Sequence, residues 1–325
     1  MLSIRDFKLT IGPNEIVAIE QLDIEAGRRV GLVGESGSGK SMTAMSIAGL
    51  QPREAVLSGS ISYDGRELVG LPDRELAKIR GAQIGFIPQD PTRALNPTTR
   101  IGKQVAEALR LNTSLDNAAI RKRVLELLDQ VQLPEIESLV HRFPHQISGG
   151  QQQRVLIAMA IAARPKLLIA DEPTTALDVT VQNEILRLIV ELSTAHGMSL
   201  LFVSHELGVV RSVCDEIGVI YGGQLIEFGA SQDIVVSPCH RYTNALIGAN
   251  PGLGRGDELA RMMGQRFEVI RGTVPPVGAF PSGCRFRNRC DFAIESCKTE
   301  PPTETLPIGH RFKCWNPVRR QEDAA

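Results

Sequence analysis

Gly34-Glu35-Ser36-Gly37-Ser38-Gly39-Lys40-Ser41 is the first run whose residue types and spacing could do chemistry. It matches G-x-x-x-x-G-K-[ST], in which glycines let successive backbone N–H groups converge on phosphate oxygens. The N-terminus of a following helix would add the positive end of its dipole. Lys40 supplies a point charge for β- and γ-phosphates, and the Ser41 hydroxyl can ligate Mg2+. A glycine-rich strand-to-helix turn is the bland alternative, disfavoured by the Lys-Ser pair and by both flanks. The second run, Leu167-Leu168-Ile169-Ala170-Asp171-Glu172, reads as an apolar strand ending in carboxylates. There Asp171 would meet the Mg2+ of a nucleotide, and Glu172 would polarise a water attacking the γ-phosphate. Alone, two acids capping the next helix explain this run better; downstream of a phosphate loop the balance reverses. The third run is Ile147-Ser148-Gly149-Gly150-Gln151, with Gln152-Gln153-Arg154 behind it. A Ser-Gly-Gly nest at a helix N-terminus is an anion site, although a capping turn accounts for it equally well.

The elements that must position these runs alternate. Residues 1–33 read as strands around a turn at Gly12-Pro13-Asn14, ending in the apolar Val30–Val33. A helix is expected over 41–50, and strands over 57–63 and 84–88. Ile120, Val124, Leu127, Leu128 and Val131 recur at helical period over 116–132. A helix over 150–163, a strand at 166–170, a helix over 180–195, a strand at 199–203 and a helix after Glu206 follow. Strands alternating with helices mean an α/β fold with a largely parallel sheet. Past residue 248 periodicity fades, and eight of the nineteen prolines lie between Pro251 and Pro317.

The third run resembles the LSGGQ signature of ATP-binding-cassette ATPases, with Ile147 in place of leucine. The family's other elements follow in order. Gln89, in Phe86-Ile87-Pro88-Gln89-Asp90, resembles the Q-loop glutamine; Ala176-Leu177-Asp178 resembles the D-loop; His205, in Phe202-Val203-Ser204-His205-Glu206, resembles the switch histidine. The resemblance covers residues 1–248. It implies a P-loop NTPase cassette: a RecA-like parallel core, an antiparallel β subdomain and a helical signature subdomain at about 90–160. It also implies ATP held by Gly34–Ser41 of one subunit and by Ser148, Gly149, Gly150 and Gln151 of the facing one, with Asp178 at the dimer interface. Mg2+ would be held by Ser41, Gln89 and Asp171, with Glu172, His205 and Gln89 in catalysis. The family's adenine-stacking aromatic would fall near Ile11, where there is none; Phe7 or an apolar contact is left to hold the base.

Finer features resemble dipeptide and oligopeptide importers: Pro88-Gln89-Asp90-Pro91 with Ala94-Leu95-Asn96-Pro97, Phe143-Pro144-His145-Gln146, Pro238-Cys239-His240-Arg241-Tyr242-Thr243, and Gly283-Cys284-Arg285-Phe286 with Arg289-Cys290. Nickel, glutathione and opine importers share much of this pattern, so the solute stays open. The resemblance implies a second, homologous ATPase subunit, two membrane permease subunits and, indirectly, an extracytoplasmic solute-binding protein. It places the chain peripherally on the cytoplasmic face of the membrane.

Residues 249–325 read as a separate proline-rich extension. Cys284, Cys290, Cys297 and Cys314 are spaced C-x5-C-x6-C-x16-C. In a reducing compartment four such thiols suggest metal before disulfides. The spacing is not a zinc-ribbon pair, and iron–sulfur clusters tolerate irregular spacing. From Cys284 to Arg320 eight Arg or Lys face four acids, an excess that would suit a negative cluster. A [4Fe-4S] cluster, zinc and unligated thiols all remain open; some peptide importers carry the first here. A solvated face, a lipid surface or a permease contact would explain the charge too. Pro275-Pro276 and Pro301-Pro302 favour an extended wrap. Cys214, grouped with Val210, Val213 and Ile217 on a helix face, reads as a buried small hydrophobe, and Cys239 as an exposed loop residue.

Composition excludes other classes. The 325 residues carry a net charge of −1, are 42% hydrophobic and 22% charged, and so have material for a core. Near-neutral charge and 4% aromatic content argue against nucleic acid as partner. A soluble cassette acting on DNA or ribosomes would be expected to carry a coiled-coil insertion or a second cassette, and neither is found. The start, MLSIRDFKLT, has no apolar h-region, and Val155–Ala163 is too short to span a bilayer.

Overall fold

The computed structural model describes residues 1–175, 177–250, 253 and 269–318. Ala176 of the D-loop-like turn and residues 251–252, 254–268 and 319–325 of the extension lie outside them. The strands are β1 (Leu2–Ile11), β2 (Asn14–Ile24), β3 (Arg29–Val33), β4 (Ala55–Tyr63), β5 (Arg66–Glu67), β6 (Ile84–Ile87), β7 (Leu167–Asp171), β8 (Ser199–Ser204), β9 (Glu216–Tyr221), β10 (Gln224–Ala230), β11 (Glu304–Thr305) and β12 (Arg311–Phe312). The helices are α1 (Lys40–Ala48), α2 (Asp73–Leu76), α3 (Pro91–Ala94), α4 (Ile101–Asn112), α5 (Asn117–Gln130), α6 (Ile136–Leu139), α7 (Gly149–Ala160), α8 (Val179–Ala195), α9 (Leu207–Val213), α10 (Ser231–Val236) and α11 (Arg241–Gly248). None is long and apolar enough to cross a membrane among the described residues. The chain divides into two compact units, one of Met1–Asp23, Arg29–Val69 and Ser204–Ala325, the other of Ile24–Arg28 and Gly70–Val203.

In the first unit the strand order is β5-β4-β1-β2-β10-β9-β3. β1 and β4 pair antiparallel, with a register shift between Arg5 and Lys8. Asp6 takes φ 44° there, and the facing Gly59 could not carry a Cβ, which would sit 2.2 Å from the Asp6 carbonyl. The bulge resets the alternation: Leu2 and Ile4 point inward before it, Phe7 and Leu9 after it. Phe7 is therefore fully buried, which corrects the expectation that it could stack on adenine. β3 runs parallel to β9, and α9 lies directly on it: a Cβ on Gly31 would stand 2.1 Å from Val210 Cγ1. Cys214 is buried as expected, but it caps α9 in extended backbone, and Ile217 belongs to β9 rather than to the helix face. Cys239 corrects its reading as exposed: it is buried against Phe312 and Cys314.

The described part of the extension, 269–318, docks within this unit. β10 pairs with β2 at Gln224 and with β12 further along, at Glu227 and Phe228. Arg285 pairs with Glu15 and donates to the Gly222 carbonyl; Lys313 pairs with Glu20. Three of the extension's basic residues, Arg285, Arg289 and Lys313, are thus matched by acids of the preceding chain, Glu15, Glu35 and Glu20, which reduces the charge excess read from its sequence.

The second unit holds the parallel set β6, β7 and β8. All five residues of β7 are buried, the continuous apolar strand expected of a sheet covered on both faces. Helices α3 to α7 fall between Pro91 and Ala160. α5 buries Ile120, Val124, Leu127 and Leu128, the face its spacing indicates. α7 is buried from Gln152 to Ala158, with its polar residues employed internally. Gln152 donates to the Pro144 carbonyl at 2.9 Å; Arg154 donates to the Val131 carbonyl and to Glu184, each at 2.9 Å.

Candidate functional site

Within the first unit, β3 runs into the Gly34–Ser41 loop, and the loop into α1. Gly39 precedes the helix at φ 97°, a conformation costly for any side chain. A Cβ at Gly34 would stand 2.1 Å from the Ile220 carbonyl, so the loop leaves the sheet against β9. Lys40 is 4% exposed, and its Nζ donates to the Gly34 carbonyl at 2.9 Å and the Glu35 carbonyl at 3.1 Å. Ser36 and Gly37 form an exposed tip. The Ser38 Oγ is buried with no hydrogen-bond partner among the described residues, a polar atom that a phosphate oxygen would satisfy. Ser41 opens the first turn of α1. His205, also in this unit, is exposed just past β8, with Nε2 3.9 Å from Glu206.

Within the second unit, Asp171 ends β7 and is buried; Glu172 follows at φ 44°. A glutamate in left-handed backbone is strained, and such strain gathers at functional positions. The Gln89 amide donates to Glu172 Oε2 at 3.2 Å, and the Thr175 hydroxyl donates to the same oxygen at 3.0 Å. Ser148 caps α7: its Oγ accepts from Gln151 N at 3.3 Å, while Gln151 Oε1 accepts from Ser148 N at 3.0 Å. Ser148 and Gly149 are exposed. A Cβ on Gly150 would meet Val181 Cγ1 at 2.7 Å, so the start of α7 lies against the start of α8. Asp178 caps α8, accepting from Val181 N at 3.0 Å, and is exposed. The structure thus brings Gln89 to Glu172, and the Ser148–Gln151 run to the segment beginning at Leu177.

The four extension cysteines converge. Cys297 and Cys314 are buried, Cys284 and Cys290 partly so. Burial pushes the Cys284 thiol up to about 11, and the other three thiols are close enough to add to that shift. Cys290 and Cys314 are raised for the same first reason. Backbone N–H groups of Phe286, Phe292 and Asn316 point to the sulfurs two residues before them, at Cys284, Cys290 and Cys314. Arg241 is a cation whose field reaches Cys290 and Cys314; it donates to the Asn316 and Pro317 carbonyls and stacks 4.2 Å over Phe292.

A tighter set of ligand-type atoms lies elsewhere. Glu227, Cys239 and His310 bring theirs within 4.8 Å of one another, all buried. The Glu227 oxygens and His310 Nε2 are already engaged, while His310 Nδ1 is buried without a hydrogen-bond partner among the described residues. Glu227 accepts from the backbone N–H of Cys239 at 2.5 Å and of His240 at 3.0 Å, and its Oε1 lies 2.7 Å from His310 Nε2. Burial alone would lower the His310 pKa; hydrogen bonding to Cys239 and the Glu227 carboxylate outweigh it and raise it to about 9. The set pairs a fully buried imidazole with a fully buried carboxylate. His240 is the opposite case: burial lowers it to about 4, and its Nδ1 accepts from Tyr242 N at 2.9 Å.

Comparison with known proteins agrees with this architecture. Residues 8–175 match the family model "ABC transporter", and residues 226–297 match "Oligopeptide/dipeptide transporter, C-terminal region". The oligopeptide transport ATP-binding protein OppD of Salmonella typhimurium is 40% identical over 322 residues, 98% of this chain and 94% of that protein. A putative peptide import ATP-binding protein of Brucella melitensis is 42% identical over 313 residues, 96% of this chain and 88% of that protein. The dimeric post-hydrolysis state of the ATP-binding cassette MJ0796, bound to ADP and Pi, aligns with TM-score 0.63 and 30% identity over 71% of this chain and 99% of that one. The chain belongs to the ABC transporter family of ATPases. Within that family it carries the C-terminal region of the oligopeptide and dipeptide transporters.

Three features escaped the sequence. Thr175 sits in the segment after Glu172 but gave no signal. The Glu227–His310 pair spans 83 residues. The contact between Glu35 of the phosphate loop and Arg289 spans 254. Arg289 stood in a segment noticed for its cysteines, and no periodicity links it to its partner.

Proposed function

We propose that this chain powers the import of peptides, or of a similar small solute, by hydrolysing ATP on the cytoplasmic face of the membrane. The observation that carries the catalytic half is Glu172: a strained carboxylate after a buried strand, fixed by an amide and a hydroxyl on one oxygen. Residues 1–248 would form the cassette and 249–325 the extension. The backbone N–H groups of Gly34–Ser41 would receive phosphate oxygens, and Lys40 would exchange its two loop carbonyls for them. Ser41, Asp171 and Gln89 would hold Mg2+, which supplies charge neutralisation across the phosphates. Glu172 would accept a proton from the attacking water, oriented by Gln89 and Thr175, and His205 would hold the γ-phosphate. Ser148, Gly149, Gly150 and Gln151, exposed at the head of α7, would complete the ATP site of a facing ATPase subunit, with Asp178 beside the contact.

The peptide half rests on the C-terminal region and on the relatives' names. By analogy the partners are a homologous ATPase subunit, two permease subunits and a solute-binding protein outside the membrane. We assign Cys284, Cys290, Cys297 and Cys314 to a [4Fe-4S] cluster. Backbone N–H groups aimed at the sulfurs and a nearby guanidinium suit anionic cluster ligands. When bound, a cluster would staple the extension's loops through four metal–sulfur bonds.

The experiment is Glu172→Gln in the membrane complex. ATP binding should persist while peptide-stimulated turnover falls by about 100-fold or more. Near-normal turnover would remove Glu172 from the role of base. Transport of peptides by the wild-type complex, measured alongside nickel and glutathione, decides the solute.

A further inference from the structure

Glu35, the second residue of the phosphate loop, has all three of its polar groups engaged. Its N–H donates to the Tyr242 hydroxyl at 3.0 Å, and its carbonyl accepts from Lys40 Nζ at 3.1 Å. Its carboxylate receives both arms of Arg289, Nη1 at 2.9 Å and Nη2 at 3.1 Å. Arg289 comes from the C-terminal extension, and its side chain is 6% exposed. Its remaining donors are spoken for as well. Nε reaches the Arg271 carbonyl at 2.8 Å, Nη2 the Gly272 carbonyl at 3.3 Å, and Nη1 the Tyr221 hydroxyl at 3.3 Å. Every donor position of the guanidinium thus meets an acceptor, the geometry that fixes a planar fork. Below it Tyr221, Tyr242 and Phe286 form one aromatic wedge, with ring centroids 4.7 to 5.3 Å apart.

A carboxylate at the mouth of a loop that receives polyphosphate has the wrong sign unless it is neutralised. The same residue carries one of the two carbonyls on which Lys40 rests. We propose that Arg289 is a positioning residue for nucleotide binding. It cancels the Glu35 charge and pins the backbone that seats Lys40, so that the C-terminal extension holds the phosphate loop in its receiving shape. The inference rests on the reading of Gly34–Ser41 as the phosphate loop.

The test is equilibrium binding of MgATP to the full chain, with folding of each variant checked by circular dichroism. Lys40→Ala tests the underlying reading: if it binds like wild type, the loop assignment falls, whatever Arg289 does. Given that it loses binding, Arg289→Gln should weaken Kd by about tenfold, the scale of one uncompensated, partly solvated charge facing a phosphate at close range. The double variant Glu35→Gln/Arg289→Gln should return to within about threefold of wild type, because the exposed negative charge is then gone. A merely structural arginine would show no such rescue. An Arg289→Gln Kd equal to wild type, or a double variant as weak as the single one, overturns the proposal. If Arg289→Gln does not fold, Arg289→Met decides, keeping the apolar stem without the charge or the fork. A weaker Kd that Glu35→Gln restores supports the role, and a wild-type Kd refutes it.

Discussion

Replacing His310 by Gln should change the pH dependence of stability in a calculable way. His310 and Glu227 have fully buried side chains, 2.7 Å apart. The folded-state pKa of His310, about 9, lies above the ordinary 6.5 because the Glu227 carboxylate and Cys239 outweigh desolvation. A group whose pKa rises on folding stabilises the protein below its unfolded pKa and loses that contribution as pH climbs through the folded value. The window is therefore pH 6.5 to about 9. At 1.36 kcal/mol per unit, the contribution present at pH 6 and gone at pH 10 is up to about 3 kcal/mol. Urea unfolding of the full chain and of His310→Gln across that range measures it. Groups common to both proteins cancel in the difference, and His240, lowered to about 4, does not titrate there. The stability advantage of wild type should shrink steadily toward alkaline pH. An advantage that stays constant from pH 6 to 10 would refute the charged pair and leave His310 as a neutral hydrogen-bond donor.

Gly31→Ala should destabilise the chain by about 1–3 kcal/mol, because its methyl would overlap Val210 where α9 lies on β3; an unchanged urea midpoint would contradict that packing. The chain purified without oxygen should absorb near 400 nm, about where iron–sulfur clusters do. Cys290→Ser should abolish the band, and bound zinc with no band would transfer the four thiols to the other metal.

Much of this was legible in advance, because the phosphate loop, the carboxylate strand and the signature turn are local: each is one strand, turn or helix start written in consecutive residues. α5 was equally plain from its period. α4 is less plain: Ile101, Val105 and Leu109 form one buried stripe, but Arg100 at its start makes no side-chain cap to signal a helix. The readings that failed were those that depend on tertiary neighbours. Phe7 is turned inward by a bulge whose only trace is Asp6 opposite Gly59. Cys239 is covered by β12, more than 70 residues on. The charge of the extension looked like an excess because its acidic partners, Glu15, Glu20 and Glu35, lie near the other end of the chain.

The pairing of β12 with the outer half of β10 bears on how the chain is made. During synthesis every strand of the first unit but the last two is complete by Ala230, yet the backbone of Glu227 and Phe228 waits for residues 311 and 312. Until then that stretch is an open edge, able to recruit another strand, and beside it sits a carboxylate whose cation is unmade. Truncation anywhere before His310, whether by a premature stop or a protease, freezes the chain in that condition. The β11–β12 hairpin thus covers an edge that the preceding chain leaves open, and a fragment lacking it would present an unpaired strand and an unpaired buried carboxylate side by side.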